Sequence, residues 1–379
     1  MDCDDLFEED VEEVIDDEDV EGNNYMNAND VSEEDTGVDI EDDENSEGSK
    51  PVRDDSAYIF SLHKGSVFCC HLEPKTGRLA VTGAEDEMTY VWETHSGDVV
   101  LHCKGHKDSV TCVQFNYDGS YVATGDMSGV VQVWKIASKL QVWETHVGDL
   151  TWLKWHHGAN VLLAGTVSGD VYMWRIPGGD CKLLPGGGVK TDCGLILPDG
   201  KRAAVGYEDG TVKVFDMKAC TVLHHVPQGQ ANAGTVTDMD CHPDNNLLIT
   251  GSVDGHAVIL KTQTGKVAVV LDCKGSSPES ESSNTSVEAV GFCQDSNFPL
   301  AATGSLDGVL CIWDISRGSL RHRLKQDSGI TKLVWVKSGP YFFTTDLDGS
   351  IRLYDARSGS MRNQLFGHSN CILDISCSM

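Results

Sequence analysis

One short pattern returns seven times along this chain of 379 residues, at nearly constant intervals. A small residue, usually the glycine of a Thr-Gly step, stands at Gly83, Gly125, Gly165, Gly206, Gly251, Gly304 and Thr345. The following strand ends at Trp92, Trp134, Trp174, Phe215, Leu260, Trp313 and Tyr354. Both series advance by 42, 40, 41, 45, 53 and 41 residues. A fixed period of about 40–45 residues indicates stacked supersecondary units, each burying its apolar face against its neighbours.

The pattern inside one unit predicts a four-stranded antiparallel sheet. In the second unit, β-branched and aromatic residues fill positions 110–115, 121–124, 131–134 and 141–143, and Gly, Asp and Asn lie between them. That alternation is typical of a meander of short strands joined by tight turns. The other units begin near residues 66, 149, 191, 236, 287 and 330. Before the first unit, residues 57–62 alternate like one more short strand.

Two irregularities interrupt the repeat. The step of 53 residues contains a polar, acidic, low-complexity stretch at 275–286, which predicts a loop inserted between the fifth and sixth units. Residues 367–370 open an eighth unit and 371–376 match its first strand, but the second and third strands do not follow. We therefore expect a shortened last unit, as in a truncated form of the protein, which leaves open how the repeats close on themselves.

The charge is concentrated in the first 55 residues. Residues 1–55 contain 25 Asp and Glu and two basic residues, whereas residues 56–379 contain 34 acidic and 27 basic residues. Such a segment cannot bury enough apolar surface to offset its ordering entropy, so we predict a disordered acidic tail at 1–55. A charge of this sign repels nucleic acid and anionic membranes and attracts basic proteins. The tail either keeps the protein soluble or helps to hold a cationic partner.

The residues expected of an enzyme, a metal site or a secreted protein are missing from the sequence. The 14 cysteines form no C-x-x-C pair, and several, at 69, 112 and 293, recur where a small buried residue is expected. The acidic N-terminus is unlike a signal peptide, and no apolar run reaches the ~18 residues of a membrane span. No nucleophile motif or phosphate loop is evident. We expect a cytoplasmic or nuclear protein that has no catalysis, cofactor, metal, membrane insertion or direct contact with nucleic acid.

Repeat punctuation of this kind resembles the WD40-repeat family. The resemblance rests on Gly105-His106, Gly367-His368, Phe215-Asp216, Trp313-Asp314, Tyr354-Asp355 and the Asp-Gly turns at 209–210, 254–255, 307–308 and 348–349. It implies an all-β propeller at 56–379, with seven complete blades and the start of an eighth. It also implies a buried network of Asp, His, Ser or Thr, and Trp. The expected structural residues are His63, Thr82, Asp86 and Trp92 in blade one, His106, Thr124 and Trp134 in blade two, and Asp209, Asp254, Asp307, Trp313 and Asp348 elsewhere, with Ser128 at blade two's Asp position.

A narrower resemblance extends from about residue 58 to residue 376. Segments 105–112, 122–129, 162–165, 197–202 and 205–211 are similar to the family of the angio-associated migratory cell protein. Animal members of that family are linked to cell migration and angiogenesis. A related fungal protein is similar to a dedicated chaperone for a basic large-subunit ribosomal protein of the L-ten, or universal L-sixteen, type. The resemblance therefore implies a role as a binding protein, in ribosome assembly or as a signalling scaffold for cell migration.

The turns between second and third strands, together with the loops entering each blade, predict a partner-binding face rich in carboxylates. The predicted contacts for a basic partner are Glu85, Glu87, Asp126, Asp149, Glu208 and Asp346. Trp152, in the first strand of blade three, is either a core residue or an exposed apolar anchor for the partner. Converging carboxylates would steer a cationic partner, and this electrostatic attraction would weaken as the salt concentration rises. An alternative function is a substrate receptor of a cullin-type ubiquitin ligase, because residues 354–357 resemble a Trp-Asp-x-Arg box. We expect a monomer.

Overall fold

The computed structural model describes Leu6, residues 53–274 and residues 285–377, and it consists of seven four-stranded antiparallel sheets arranged as blades of a ring. Apart from Leu6 and residues 53–55, the predicted acidic tail lies outside the described residues, and so does most of the predicted inserted loop. The all-β propeller expected from the repeat is confirmed.

Each blade is a meander whose four strands pair in chain order. Blades one and two contain β1 (Val67–Leu72), β2 (Leu79–Ala84), β3 (Thr89–Glu93), β4 (Val99–Cys103), β5 (Val110–Phe115), β6 (Tyr121–Asp126), β7 (Val130–Lys135) and β8 (Leu140–His146). Blades three and four contain β9 (Leu150–Trp155), β10 (Val161–Thr166), β11 (Val171–Arg175), β12 (Asp180–Leu184), β13 (Thr191–Ile196), β14 (Arg202–Tyr207), β15 (Val212–Asp216) and β16 (Thr221–Val226). Blade five contains β17 (Val236–Cys241), β18 (Leu247–Ser252), β19 (His256–Lys261) and β20 (Val267–Asp272). Blades six and seven contain β21 (Val287–Phe292), β22 (Leu300–Ser305), β23 (Val309–Asp314), β24 (Ser319–Lys325), β25 (Ile330–Trp335), β26 (Tyr341–Asp346), β27 (Ile351–Asp355) and β28 (Ser360–Leu365).

The repeated glycine marks the point at which neighbouring blades approach most closely. A Cβ atom at Gly125 would lie 2.3 Å from Leu150 Cδ2, and one at Gly83 would lie 2.6 Å from Val110 Cγ1. Leu150 and Val110 each begin the first strand of the next blade. Any larger residue would push the two blades apart, because packed interiors leave no spare room for a methyl group.

The first strand of every blade lies at the centre of the ring, so one of its edges has no strand partner. Side chains of the preceding blade supply hydrogen-bond acceptors for several of these backbone N–H groups. Trp155 N donates to Gln114 Oε1 (2.7 Å), and Phe115 N donates to His71 Nδ1 (3.3 Å). Burial, reinforced by the charge of Lys154, lowers the pKa of His71 to about 4, which keeps its ring neutral and able to accept.

Residues 371–377 take the place of one more inner strand, between β25 and β1. Thr331 Oγ1 donates to Ile372 O (2.6 Å), just as Thr237 Oγ1 of blade five donates to Val287 O of blade six. Asp374 Oδ2 accepts from Cys70 N (2.9 Å), and Ser376 Oγ accepts from Leu72 N (3.0 Å). The segment forms no strand ladder, yet it connects the seventh blade to the first by the contacts used elsewhere in the ring.

The strand predicted at residues 57–62 is wrong. These residues have no strand assignment and pack through their side chains against blade one. The ring of Phe60 stacks on Trp92 with centroids 4.6 Å apart and an interplanar angle of 10°. The alternation in the sequence therefore reflects aromatic packing on a blade face and not pairing at a strand edge.

Blade one contains the predicted buried network. His63 Nδ1 lies 3.2 Å from Asp86 Oδ1, and its Nε2 lies 2.9 Å from Thr82 Oγ1. Trp92 Nε1 donates to the same Thr82 hydroxyl (3.3 Å). The chain of bonds links the entry loop, the second strand, the turn and the third strand of one blade.

Blade two contains a similar network with a different carboxylate. His106 Nδ1 donates to Asp126 Oδ2 (2.9 Å), and His106 Nε2 accepts from Thr124 Oγ1 (2.7 Å). Ser128, which occupies the expected Asp position, donates to Asp126 Oδ1 (2.7 Å). Trp134 Nε1 donates to Gln132 Oε1 (3.2 Å) rather than to Thr124. Burial alone would raise the pKa of Asp126, but the hydrogen bonds it accepts from Ser128 and His106 outweigh burial and lower it.

Replacing Asp126 with alanine should lower the free energy of unfolding by about 3 kcal/mol, because it leaves buried donors on His106 and Val130 without acceptors. Replacing Ser128 with alanine removes one hydrogen bond from the same carboxylate and should cost about 1 kcal/mol. Urea unfolding followed by tryptophan fluorescence measures both. Equal losses for the two variants would show that the Asp126 network is not the main stabilising contact of this blade.

Candidate functional site

The turns between second and third strands and the loops entering the blades lie together on one face of the ring. In every blade, the first residue of the turn or its neighbour donates a backbone hydrogen bond to the residue that precedes the first strand. Examples are Glu85 N to Ser66 O (2.9 Å), Val167 N to Asp149 O (3.0 Å) and Glu208 N to Lys190 O (2.9 Å). This pairing fixes both loops at one end of the blade and places their side chains around the mouth of the central channel.

Four of the predicted contact residues are exposed on this face: Glu85, Glu87, Asp149 and Glu208. We call these four residues the carboxylate face. Glu85 Oε2 accepts a hydrogen bond from Ser66 N (3.1 Å). Within residues 53–274 and 285–377, no ion pair involves the side chains of Glu87, Asp149 or Glu208. Their charges therefore remain available to a partner.

Basic side chains compensate the carboxylates of the last two blades. Lys325 Nζ lies 3.7 Å from Asp307 Oδ2 in blade six, and Arg352 Nη2 donates to Asp348 Oδ2 (3.0 Å) in blade seven. The exposed Lys64, Lys104 and Lys107 lie in the loops that enter the first two blades. Asp149 and Glu208, in blades three and four, form no such ion pair among the described residues, and Lys190 in the loop that enters blade four pairs with Asp192.

Asp126 and Asp346 were wrongly assigned to this surface. Both side chains are fully buried, Asp126 against His106 and Asp346 in an ion pair with Arg352. Each is the last residue of a second strand, one position too early to project from the turn. The sequence signal that was missed is the spacing, since exposed acidic residues such as Glu85 and Glu208 come one residue later in the repeat.

Trp152 is also buried, so its assignment as an exposed anchor is wrong. The indole fills the space above two glycines: a Cβ atom at Gly194 would lie 2.3 Å from Trp152 Cζ2, and one at Gly165 would lie 2.1 Å from Trp152 Nε1. Blade four has glycine at 194, whereas blades two and five have Val113 and Met239 at the equivalent position. Gly194 could therefore have identified Trp152 as a core residue from the sequence.

The turn aspartates predicted as structural mostly cap their own turns. Asp86, Asp209, Asp254 and Asp348 each accept a hydrogen bond from the backbone N–H two residues on, at 2.8–3.2 Å. Asp307 instead accepts from Ser305 Oγ (2.5 Å). In blade six, Trp313 Nε1 donates to Thr303 Oγ1 (3.1 Å), and Cys273 takes the place of the network histidine beside the same hydroxyl (3.3 Å).

The channel below the carboxylate face is a cavity of about 700 Å³ lined by the inner strands and residues 373–376. Its wall contains Asp238 and Asp240, whose Oδ2 atoms accept from Val290 N (2.9 Å) and Phe292 N (2.8 Å) of the next blade. Burial raises the pKa of both carboxyls, and that of Asp240 rises to about 7 with a further contribution from the charge of Asp238. Asp238 and Asp374 in turn raise the pKa of Lys332, against the opposing effect of its burial. These channel carboxylates hold the ring together and are not free to bind.

Stability should decrease as pH rises through the titration of Asp240. The carboxyl titrates near 4 in the unfolded chain and at about 7 in the fold, so between these values the folded state holds the extra proton. Raising the pH from about 5 to about 8 should therefore lower the free energy of unfolding by about 2–3 kcal/mol. Replacing Asp240 with asparagine should remove this dependence, so the variant should gain that amount relative to the wild type over the same range.

Urea unfolding at a series of pH values measures the difference between the wild type and this variant. Asp244→Asn is the matched control, because Asp244 lies on the opposite face and hydrogen bonds keep its pKa low. A difference between Asp240→Asn and the wild type that stays constant with pH would contradict the assignment.

Arg357, the basic residue of the Trp-Asp-x-Arg-like box, is engaged within its own blade. Its guanidinium donates to Asp355 Oδ2 (3.0 Å) and lies over the rings of Tyr341 and Phe298. Hydrogen bonds from Arg357 and Arg362, which outweigh the effect of burial, hold the pKa of Asp355 well below its usual range. The geometry gives this arginine a role in securing the end of the third strand.

Neither a group of three potential metal ligands nor a membrane-spanning helix occurs in the part of the chain that the structure describes.

The family model of the WD domain, G-beta repeat, matches residues 97–135, 186–216, 221–259, 275–314 and 318–355. The angio-associated migratory cell proteins of Homo sapiens and Canis lupus familiaris are each 43% identical over 345 residues, which cover 89% of this chain and 79% of theirs.

More distant relatives are fungal. The ribosome assembly protein SQT1 of Saccharomyces cerevisiae is 26% identical over 351 residues, covering 79% of this chain and 77% of its own. The crystal structure of Saccharomyces cerevisiae Sqt1 superposes with a TM-score of 0.75 at 21% identity, covering 83% of this chain and 89% of that one. Chaetomium thermophilum Sqt1 bound to the N-terminus of ribosomal protein L10 gives a TM-score of 0.72 at 21% identity, covering 82% of this chain and 89% of that one.

Proposed function

Because this chain belongs to the WD40-repeat family of the angio-associated migratory cell protein, we propose that it is a non-catalytic binding protein that captures a basic segment of a client protein on its carboxylate face. The proposed client is a large-subunit ribosomal protein of the L-ten, or universal L-sixteen, type, and the proposed role is that of a dedicated chaperone in ribosome assembly. The protein would act as a monomer in the cytoplasm or the nucleus.

The observation that carries the proposal is the set of exposed carboxylates without basic partners. Glu87, Asp149 and Glu208 lie around one mouth of the channel, and each is exposed. An extended segment with several Lys or Arg residues would contact the carboxylates of blades one, three and four at once. Such a surface steers a cationic partner during encounter and discriminates against acidic ones. The complex of the fungal relative with the N-terminus of a ribosomal protein supports this choice of client.

Charge reversal on the carboxylate face should weaken binding to the client. The variant Glu87→Lys, Asp149→Lys, Glu208→Lys should bind a synthetic peptide of the N-terminal residues of ribosomal protein L10 roughly tenfold or more weakly than the wild type, because three exposed ion pairs contribute a few tenths to about 1 kcal/mol each. Fluorescence anisotropy of the labelled peptide measures the affinity. Raising the salt from about 50 to about 300 mM should also weaken wild-type binding.

A matched control separates the effect of the carboxylate face on binding from the effect of net charge. The variant Asp98→Lys, Asp180→Lys, Asp244→Lys makes the same change in charge at the opposite end of the blades, where the first turns and third turns lie. It should bind the peptide like the wild type. Equal losses in the two variants, or a wild type that does not bind the peptide, would overturn the proposal. A pull-down that recovers cytoskeletal regulators and no ribosomal protein would favour the scaffold for cell migration instead.

A further inference from the structure

Leu6 is buried inside the propeller although it belongs to the acidic N-terminal segment. Its side chain is 0% exposed and lies in the hydrophobic cluster between blades three and four, which includes Val161, Met173, Phe215 and Met217. Leu6 is the single residue among the first 52 that the structure describes. This contact could not be predicted from the sequence, because the segment as a whole lacks hydrophobic periodicity.

The interface that receives Leu6 lacks an aromatic pair that is present in four others. In those four, the last residue of an inner strand and a residue of the third strand of the same blade are both aromatic. The pairs are Phe115 and Trp134, Trp155 and Trp174, Phe292 and Trp313, and Trp335 and Tyr354. Between blades three and four the pair is Ile196 and Phe215, joined by Ala159. Leu6 joins this cluster, which also contains Trp152 and Tyr207. The interface between blades four and five, with Cys241 and Leu260, lacks the aromatic pair as well.

Burial, not charge, accounts for this contact. Leu6 is flanked in the sequence by Asp4, Asp5, Glu8 and Glu9. The rest of the chain, residues 56–379, is also net acidic, with 34 acidic and 27 basic residues. Electrostatics therefore opposes the approach of this segment to the propeller. Removal of one leucine side chain from water supplies the attraction, and it favours the bound state by roughly ten- to a hundredfold.

We propose that the groove between blades three and four is a binding site for this chain's own N-terminal segment, with Leu6 as its anchor. A second attachment lies where the propeller begins: Asp55 N donates to Phe366 O (2.8 Å), and Phe366 N donates to Asp55 Oδ2 (3.1 Å). The 46 residues between Leu6 and Arg53 contain 20 Asp and Glu and one basic residue, Lys50.

Hydrogen exchange of the full chain, followed by mass spectrometry, tests the anchor. Replacing Leu6 with aspartate should speed exchange in the first dozen residues roughly tenfold or more and leave the inner strands of the seven blades unchanged. Val14→Asp is the matched control, because it adds the same charge to the same segment at another apolar position, and it should leave exchange near Leu6 as in the wild type. Identical exchange of the first dozen residues in the wild type and in Leu6→Asp would overturn the proposal.

Binding of a separate peptide to the full-length chain provides a second measurement. It requires no substitution of the groove residues, so it does not depend on whether such a variant folds. A labelled peptide of residues 1–12 should bind the full-length Leu6→Asp chain, whose groove is vacated, and should bind the wild-type chain more weakly because its own Leu6 competes. The same peptide carrying Leu6→Asp should bind neither chain. Equal binding of both peptides would show that the groove does not recognise Leu6. The result does not depend on the client of the carboxylate face.

Discussion

The propeller depends on how the unpaired edges of its inner strands are satisfied. A strand at the centre of the ring has N–H groups that face a channel, and a buried backbone donor without an acceptor is costly. Side chains of the preceding blade meet this need at several interfaces, as Gln114, Asp238 and Asp240 do. Residues Asp374 and Ser376 repeat the arrangement toward blade one, so the short C-terminal segment closes the ring by the contacts that join complete blades.

This constraint divides the acidic residues of the protein into two populations. Carboxylates such as Asp126, Asp240 and Asp346 are buried and engaged with backbone N–H groups, His106 or Arg352. Glu87, Asp149 and Glu208 lie on the turns and entry loops with no such role among the described residues. Counting acidic residues therefore overstates the charge offered to a partner, and only the second population can steer a basic segment.

The repeat period predicted the blades and their starting points, because both follow from spacing within a unit, and the resemblance to the WD40-repeat family implied the network of blade one. The period did not predict which carboxylates are exposed. Asp126 and Asp346 end the second strands of their blades and are buried, whereas the exposed acidic residues of other blades stand one position later in the repeat. Trp152 was misplaced because its environment depends on Gly194, a residue of another blade. Contacts between units, such as these and that of Leu6, lie outside what a period within one unit can determine.

The difference between buried, engaged carboxylates and exposed ones also explains how a propeller of this kind acquires a binding face. A position that closes the ring or completes a buried network tolerates few residue types, because its partner would be left unsatisfied. Glu208 has no such constraint: it belongs to a turn whose backbone is fixed by the loop before the first strand and by Gly210, which ends it. In blade one Glu87 itself takes the place of that glycine, with a φ of 61°. The turns of blades six and seven show the alternative, in which Lys325 and Arg352 neutralise the aspartates. The position of uncompensated charge around the ring is thus set blade by blade, without change to the scaffold.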